Sequence, residues 1–210
     1  MTPSQHERML SGEVYDPRDP ELLALAHRAR SLLATFAALP STDGAARHRT
    51  LVELLGGVGA GVWIEPPFFC DYGRHITIGD DTFVNANCVF LDAAPIHLGA
   101  GVLVGPAVQL LTVSHPLSAA ERIVPCEERN PERAPYRTFA RPIVVGDRVW
   151  LGAGSIVLPG VTIGANAVIG AGSLVTADIP PDCLAYGQPC RVQRVLDSTP
   201  TETSSTSAEV

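Results

Sequence analysis

Aliphatic residues recur at every sixth position through much of the chain. The clearest run is Val145, Leu151, Val157, Ile163, Ile169 and Val175. Earlier members of the series are Ile78, Val84, Phe90 and, after a slip of two residues, Leu98, Val104 and Leu110. A period of six fits neither the 3.6-residue period of an α-helix nor the alternation of an ordinary strand. It is typical of short strands joined by equal turns, and three such hexads make one triangular coil of a parallel β-helix.

Small or β-branched residues occupy the fourth position after the repeated residue in most hexads. Such residues suit tight turns, and the repeated aliphatic side chain is then expected to point inward at every corner. The pattern therefore predicts a mainly β protein built as a solenoid. The fourth-position residues are Thr82, Cys88, Val102, Val108, Ser114, Val149, Ser155, Val161, Ala167, Ser173 and Ile179.

The first part of the chain has helical rather than six-residue periodicity. Apolar residues at helical spacing predict a helix over residues 16–36, with Asp19 as its cap and Pro20 in its first position. A second helix is predicted over residues 46–55, where a pair of glycines ends it. We therefore expect a helical cap at residues 1–57.

The solenoid is predicted to occupy residues 58–196, with one interruption. Residues 115–142 are rich in charge and proline, so we expect this segment to leave the prism as a long excursion loop and return. Residues 197–210 are rich in Ser and Thr, and we expect them to be disordered.

Composition narrows the possible functions. The chain has 210 residues and a net charge of −7, and all 15 of its basic residues are Arg. The absence of Lys excludes Schiff-base chemistry and the phosphate-binding lysine of a P-loop. The acidic balance disfavours nucleic acid as a partner, because nucleic-acid-binding proteins present a basic surface.

The chain carries no recognisable export or membrane signal. Its first ten residues are polar, and no apolar run is long enough to cross a membrane. Five cysteines, an odd number without metal-type spacing, fit free thiols in a reducing compartment. We therefore expect a cytoplasmic protein that makes no membrane contact.

His115 is a candidate general base, because it stands where the chain is predicted to leave the prism, and imidazole titrates near neutral pH. His97 lies 18 residues earlier, one coil away, which predicts that the two histidines stack on neighbouring corners. The next stacked position is Thr77, which is not a metal ligand, so no metal site is predicted.

Other polar residues are candidates for binding. Asn85 directly follows the inward Val84, so its side chain is expected to leave the prism, where it can face a site. Asp16 and Asp92 are carboxylates in apolar surroundings. Arg191 and Arg194 follow a turn three residues apart, a spacing that suits either a phosphate group or a solvated surface.

Several longer stretches together resemble the maltose/galactoside O-acetyltransferases over residues 5–196. They are Met-Leu-Ser-Gly-Glu-Val-Tyr-Asp at 9–16, Pro-Pro-Phe-Phe-Cys-Asp-Tyr-Gly at 66–73, Gly-Val-Thr-Ile-Gly at 160–164, Val-Ile-Gly-Ala-Gly-Ser at 168–173 and Gly-Gln-Pro-Cys-Arg-Val-Gln-Arg at 187–194. The resemblance implies a left-handed β-helix and a homotrimer with active sites between neighbouring prisms. It also implies acetyl transfer from acetyl-CoA to a hydroxyl of a maltose-, glucose- or galactoside-type sugar. We expect this transfer to be direct and metal-free, because a base and a hydroxyl held beside the thioester suffice and no cysteine stands in a nucleophile context.

The resemblance also implies roles for individual residues. His115 would be the general base, and Asn85 would hydrogen-bond the acceptor and help to hold the tetrahedral intermediate. Asp16 and Asp92 lie near acceptor-contacting positions. The positions implied for coenzyme A binding are Trp150, Ala153, Ala171, Thr176, Ala177, Arg191 and Arg194.

Two departures from the family pattern concern specificity. Ala177 stands where relatives usually have Lys, and the excursion at 115–142 is longer than usual.

Three alternative functions stay open: a hexapeptide acyltransferase acting on an amine or antibiotic, a metal-dependent hydratase on the same fold, and a non-catalytic solenoid.

Overall fold

The computed structural model describes residues 2–197, so all of the predicted disordered tail except Asp197 lies outside the described residues. Three helices come first: α1 at Gln5–Ser11, α2 at Pro20–Ala38 and α3 at Gly44–Leu54. Helix α2 begins at Pro20 after the cap Asp19, as predicted, and the Asp19 side chain accepts from the N–H of Glu21 at 3.0 Å.

Helix α1 was not predicted from the sequence. A reciprocal capping box stabilises its start: the Ser4 hydroxyl accepts from the N–H of Glu7, and the Glu7 carboxylate accepts from the N–H of Ser4. Its end is closed by Gly12, which adopts a left-handed conformation with φ +80°.

Short strands build the rest of the chain. They are β1 Gly57–Val58, β2 Trp63–Ile64, β3 Phe68–Cys70, β4 Ile76–Ile78, β5 Phe83–Val84, β6 Cys88–Leu91, β7 Ile96–Leu98, β8 Leu103–Val104, β9 Gln109–Leu111, β10 Val113–Ser114, β11 Phe139–Ala140, β12 Ile143–Val145, β13 Trp150–Leu151, β14 Ile156–Val157, β15 Thr162–Ile163, β16 Val168–Ile169, β17 Leu174–Val175, β18 Cys183–Gly187 and β19 Cys190–Val195. Helix α4 at Ala119–Arg122 and a 3₁₀ turn at Cys126–Glu128 lie in the excursion.

Three parallel sheets form the faces of the prism. Sheet 1 contains β1, β4, β7, β12 and β15, and sheet 3 contains β3, β6, β9, β14 and β17. Sheet 2 contains β2, β5, β8, β13, β16 and β18, and β19 adds to its end in antiparallel orientation. Successive strands move from sheet 1 to sheet 2 to sheet 3, which is the predicted solenoid of triangular coils.

The repeated aliphatic residues form the core, as the six-residue period predicts. Every one of them, from Ile78 to Val175, is at most 3% exposed. The fourth-position residues are buried too, except Ser114, which is only half-buried where the chain leaves the prism. Burial of these two sets in a continuous column supplies the main stabilisation of the solenoid.

Extra residues collect where sheet 3 turns into sheet 1. Residues 71–75 and 92–95 lengthen this turn in the first two coils, and residues 112–142 replace it in the third. We call these three turns the irregular corner. The excursion leaves and returns as a small antiparallel pair, in which Ser114 lies opposite Phe139.

Arg47 joins the helical cap to the first coil. Its guanidinium carbon lies 5.0 Å from the ring centroids of both Phe36 and Trp63. Its Nη2 donates to the carbonyl of Ile64 at 2.7 Å, and the side chain is almost fully buried. Cation–π contacts and a charged hydrogen bond therefore fix α3 against the solenoid.

None of the helices within residues 2–197 combines the length and the apolar character needed to cross a membrane. All five cysteines are free thiols, and four of them are buried, with Cys126 exposed on the excursion.

Candidate active site

His115 lies at the start of the excursion, directly after β10. Its Nδ1 is 2.9 Å from the carbonyl oxygen of Arg137, and a carbonyl can only accept a hydrogen bond. The Nδ1 atom therefore carries the hydrogen in the neutral ring, which leaves the lone pair on Nε2. The ring stands edge-on to Tyr136, with 5.5 Å between the centroids. This arrangement holds an imidazole base in a fixed orientation.

A cleft of about 710 Å³ opens beside His115. Its walls come from helix α2, the turn before it, the irregular corner and the excursion, so the cap is part of the site. The residues that line it are Tyr15, Pro17, Leu23, Ala26, His27, Arg30, Asp71, Tyr72, Val113, His115, Arg122, Ile123, Tyr136 and Thr138.

Asp71 is a residue of this cleft that the sequence analysis missed. Burial raises its pKa from the ordinary 3.8 to about 6; the carboxylate of Asp92 adds to this rise, and Arg30 opposes it. The stretch at 66–73 that contains Asp71 was used only as one of the stretches that carry the family resemblance. The mixture of aspartate, tyrosine and proline in that stretch was the available signal for a site.

Asp92 was expected to lie near the acceptor, but it does not line the cleft. It is fully buried, and its Oδ1 accepts from the N–H of Tyr72 at 2.8 Å. Its carbonyl oxygen is 2.7 Å from His75 Nδ1, and His75 Nε2 is 3.0 Å from His6 Nε2 on helix α1. Burial raises the pKa of Asp92 and lowers that of His75. Asp92 thus shapes the turn that carries Asp71.

Asp16 lies next to the cleft rather than in it. Its Oδ1 accepts from the N–H groups of Arg18 and Ala134, at 3.0 and 3.1 Å. The carboxylate therefore ties the turn before α2 to the far end of the excursion.

A second groove of about 840 Å³ runs along sheet 2. It brings together four of the residues predicted to bind coenzyme A: Trp150, Ala153, Ala171 and Arg194. The remaining three do not line it. Thr176 and Ala177 are exposed in the turn after β17, and Arg191 is exposed on β19.

Asn85 lies at the corner where sheet 2 turns into sheet 3. The N–H of Asn85 donates to the carbonyl of Val104 in the next coil, and the N–H of Gly152 donates in the same way to the carbonyl of Ile169. Asn85 and Gly152 therefore occupy equivalent positions in different coils. Ala153 and Ala171 lie in the same series of turns, beside the groove. His115 belongs to the irregular corner, so one chain does not bring Asn85 and His115 together.

His97 does not stack on His115, contrary to the sequence-based prediction. It pairs with Thr77 on one side and with Val144 on the other. The prediction was wrong because the chain leaves the coil before His115. Within residues 2–197, no three His, Cys, Asp or Glu side chains converge in a way that could hold a metal ion.

Comparison with known families identifies both parts of the chain. A family model described as the maltose acetyltransferase hexapeptide capping motif matches residues 8–59. Models of bacterial transferase hexapeptide repeats and of the succinyl-transferase hexapeptide repeat match residues 142–177 and 75–106. The galactoside O-acetyltransferase of Escherichia coli K12 is 35% identical over 91% of this chain and 89% of its own length.

Solved structures agree with these matches. A maltose O-acetyltransferase from Clostridium difficile 630 superposes with a TM-score of 0.86 at 36% identity, covering 94% of this chain and 100% of its own. A hexapeptide-repeat acetyltransferase from Vibrio cholerae, solved with acetyl-CoA, gives 0.81 at 40% identity, covering 93% and 100%. Fold and matches define the class as hexapeptide-repeat acetyltransferases that use acetyl-CoA. Within that class, the chain belongs to the family of the galactoside and maltose O-acetyltransferases.

The raised pKa of Asp71 predicts a pH-dependent effect of Asp71→Asn on stability. Between pH 3.8 and about 6 the folded state holds the proton that the unfolded state has lost, so the ionised carboxylate destabilises the fold above pH 6. Asp71→Asn removes this charge, so its thermal unfolding midpoint should exceed that of the wild type most at pH 7.5 and least at pH 4.

The matched control is Asp81→Asn, because Asp81 is exposed and its φ of 55° is one that Asn adopts readily. The midpoint shift of Asp71→Asn is compared with that of this control at each pH value. A constant loss of stability in Asp71→Asn across the pH range would contradict the prediction.

Proposed function

We propose that this protein transfers an acetyl group from acetyl-CoA directly to a sugar hydroxyl, with His115 as general base. The observation that carries the proposal is the hydrogen bond from His115 Nδ1 to the Arg137 carbonyl, which leaves the Nε2 lone pair of this cleft residue free to accept a proton. A base oriented in this way needs only a hydroxyl and a thioester held beside it.

The proposed reaction has two steps. His115 Nε2 takes the proton of the acceptor hydroxyl while the oxygen attacks the thioester carbonyl, which forms a tetrahedral intermediate. The C–S bond then breaks, the carbonyl re-forms as an ester, and protonated His115 returns its proton to the departing coenzyme A thiolate. The Asn85 amide is the proposed donor to the negative oxygen of the intermediate and to the acceptor.

The walls of the cleft support a sugar as the acceptor. Tyr15, Tyr72 and Tyr136 present aromatic rings, and Asp71 and Arg30 present charged groups able to hydrogen-bond hydroxyls. This combination of apolar faces with a few convergent polar groups is typical of small-molecule sites. Asp16 and Asp92 act through the backbone that they hold, so we assign them positioning roles.

A homotrimer with sites between subunits explains why Asn85 and His115 lie at different corners. The outward side of sheet 2 also supports contact with a second copy. Trp63, Leu103 and Trp150 lie on one column of that sheet and are 40, 51 and 45% exposed. An apolar column of this kind is suited to burial in an interface.

Coenzyme A would lie in the groove along sheet 2, with its pantetheine arm beside Trp150, Ala153 and Ala171. Arg194 lines the same groove, and Arg191 and Thr176 would meet the phosphate end. Because Ala177 replaces the usual lysine, we assign more of the phosphate recognition to the arginines, whose planar guanidinium groups bind phosphate in a bidentate manner.

His115→Ala tests the general base. We expect kcat, measured as free-thiol release from acetyl-CoA with maltose or a galactoside, to fall by about 10²- to 10⁴-fold. The matched control is His97→Ala, because His97 is exposed and hydrogen-bonded to Thr77 on sheet 1. Full activity in folded His115→Ala protein would rule out this role.

Mixing two inactive variants tests the shared site. His115→Ala and Asn85→Ala should each be weakly active alone, and co-refolding them should restore activity. Each mixed trimer then contains one site with an intact His115 from one subunit and an intact Asn85 from its neighbour. If mixing restores nothing although mixed oligomers are isolated by tandem affinity tags, the two residues do not share a site across an interface.

Arg194→Ala tests recognition of coenzyme A. Loss of a charged hydrogen bond to phosphate should raise the KM for acetyl-CoA by about tenfold or more, with a smaller change in the KM for the sugar. Arg49→Ala is the control, because Arg49 is exposed on helix α3 and does not line the groove. An equal rise in both KM values would show that Arg194 does not act on the coenzyme.

A further inference from the structure

A second chamber adjoins the cleft that contains His115. Its volume is about 180 Å³; helix α1, the turn at 14–16 and the excursion line it, and it is open to the protein surface. Tyr15 and Tyr136 line both cavities, so these rings form the boundary between them. Since the Tyr136 ring is in edge contact with His115, the boundary between the two cavities lies beside the imidazole.

Basic residues outnumber acidic ones in the lining of the chamber, although the whole protein is acidic. Arg8, Arg133 and Arg137 line it together with one acidic residue, Asp16, while the carboxylates of Glu13 and Glu128, outside the lining, approach Arg8 and Arg137 to 3.5 and 4.0 Å. Asp16 Oδ1 already accepts two backbone N–H groups, and Arg133 Nε lies 3.9 Å from Asp16 Oδ2, beyond hydrogen-bond distance. A carboxylate therefore lies near each of the three guanidinium groups, but among the described residues none hydrogen-bonds them.

The donors of these arginines are incompletely used. Arg8 Nε is buried without a hydrogen-bond partner, and among the described residues it is the one side-chain nitrogen or oxygen in that condition. Glu13 Oε2 is 3.5 Å from it without forming a hydrogen bond, and Glu128 Oε2 is 4.0 Å from Arg137 Nη2. A buried donor without an acceptor is costly, so an incoming anionic oxygen would be favoured here.

We propose that this chamber binds an anionic group, such as a carboxylate, carried by the sugar acceptor. Arg8, Arg133 and Arg137 hold the anion, the rings of Tyr15 and Tyr136 contact the sugar unit between, and His115 receives the hydroxyl to be acetylated. The acceptor class is therefore an acidic saccharide of at least two units. The inference rests on the proposed function in taking the acceptor to be a sugar.

Two matched pairs of disaccharide derivatives test the proposal. Maltobionate and maltitol differ by a carboxylate in place of a CH₂OH group, and so do lactobionate and lactitol. Calorimetric binding and thiol release from acetyl-CoA are measured for each compound at low and at high salt. We expect the acids to bind at least about tenfold more tightly than the alcohols, with a difference that shrinks as salt rises.

Arg133→Gln should abolish this preference without lowering the activity on maltitol or lactitol, because Arg133 is exposed and its loss leaves the fold intact. Arg8→Gln should act in the same direction. Arg141→Gln is the charge-matched control: Arg141 is exposed on the same excursion but does not line the chamber, so the preference should persist.

The outcomes separate this inference from the proposed function. Equal binding of acid and alcohol by the wild type would overturn the anionic subsite, and so would a preference that survives both Arg133→Gln and Arg8→Gln. If the acids bind more tightly and the preference depends on these arginines, the subsite is supported even when no compound releases thiol. Absence of thiol release with every compound would instead count against sugar acetylation.

Discussion

Each coil of this protein must stack in register on the coil before it, and the rest of the molecule follows from that constraint. Backbone N–H groups of one coil donate to carbonyls of the next along all three sheets, and the inward side chains close a continuous column. At some turns the distance between successive coils is too short for a side chain. A Cβ at Gly152 would stand 2.5 Å from the backbone nitrogen of Ala171 in the next coil, so this position requires glycine.

A structure that is periodic in this way can vary only where the strands do not pair. The additional residues collect at one corner in three consecutive coils, and that corner carries Asp71, Asp92 and the excursion with His115. The helical cap completes the same region. Helix α2 forms one wall of the cleft, His6 reaches His75, and Asp16 binds the backbone of Ala134 on the excursion. The cleft beside His115 is thus built where the repeat is interrupted.

The repeating part of the structure could be predicted from sequence because each hexad reports the same local requirement: an aliphatic residue such as Val157 inward and a small residue such as Ser155 at the turn. The residues of the candidate site were harder to predict, because their positions depend on contacts between residues that are distant in sequence. His97 was wrongly stacked on His115, since spacing along the chain carries no information once the chain leaves the coil. Asp71 was not predicted, because its raised pKa depends on its burial and on the nearby carboxylate of Asp92, which only the folded structure brings close. Helix α1 was missed although its capping box, Ser4 and Glu7, was readable.

The hydrogen bond that orients His115 comes from the main chain of Arg137, not from a side chain. Every amino acid at position 137 supplies the same carbonyl oxygen. Mutation along the excursion can therefore change the charge and shape of the cleft walls while the imidazole keeps its tautomer. Under the proposed function, the base and the choice of acceptor are thus encoded separately, which would let a lineage change its acceptor without changing the orientation of His115.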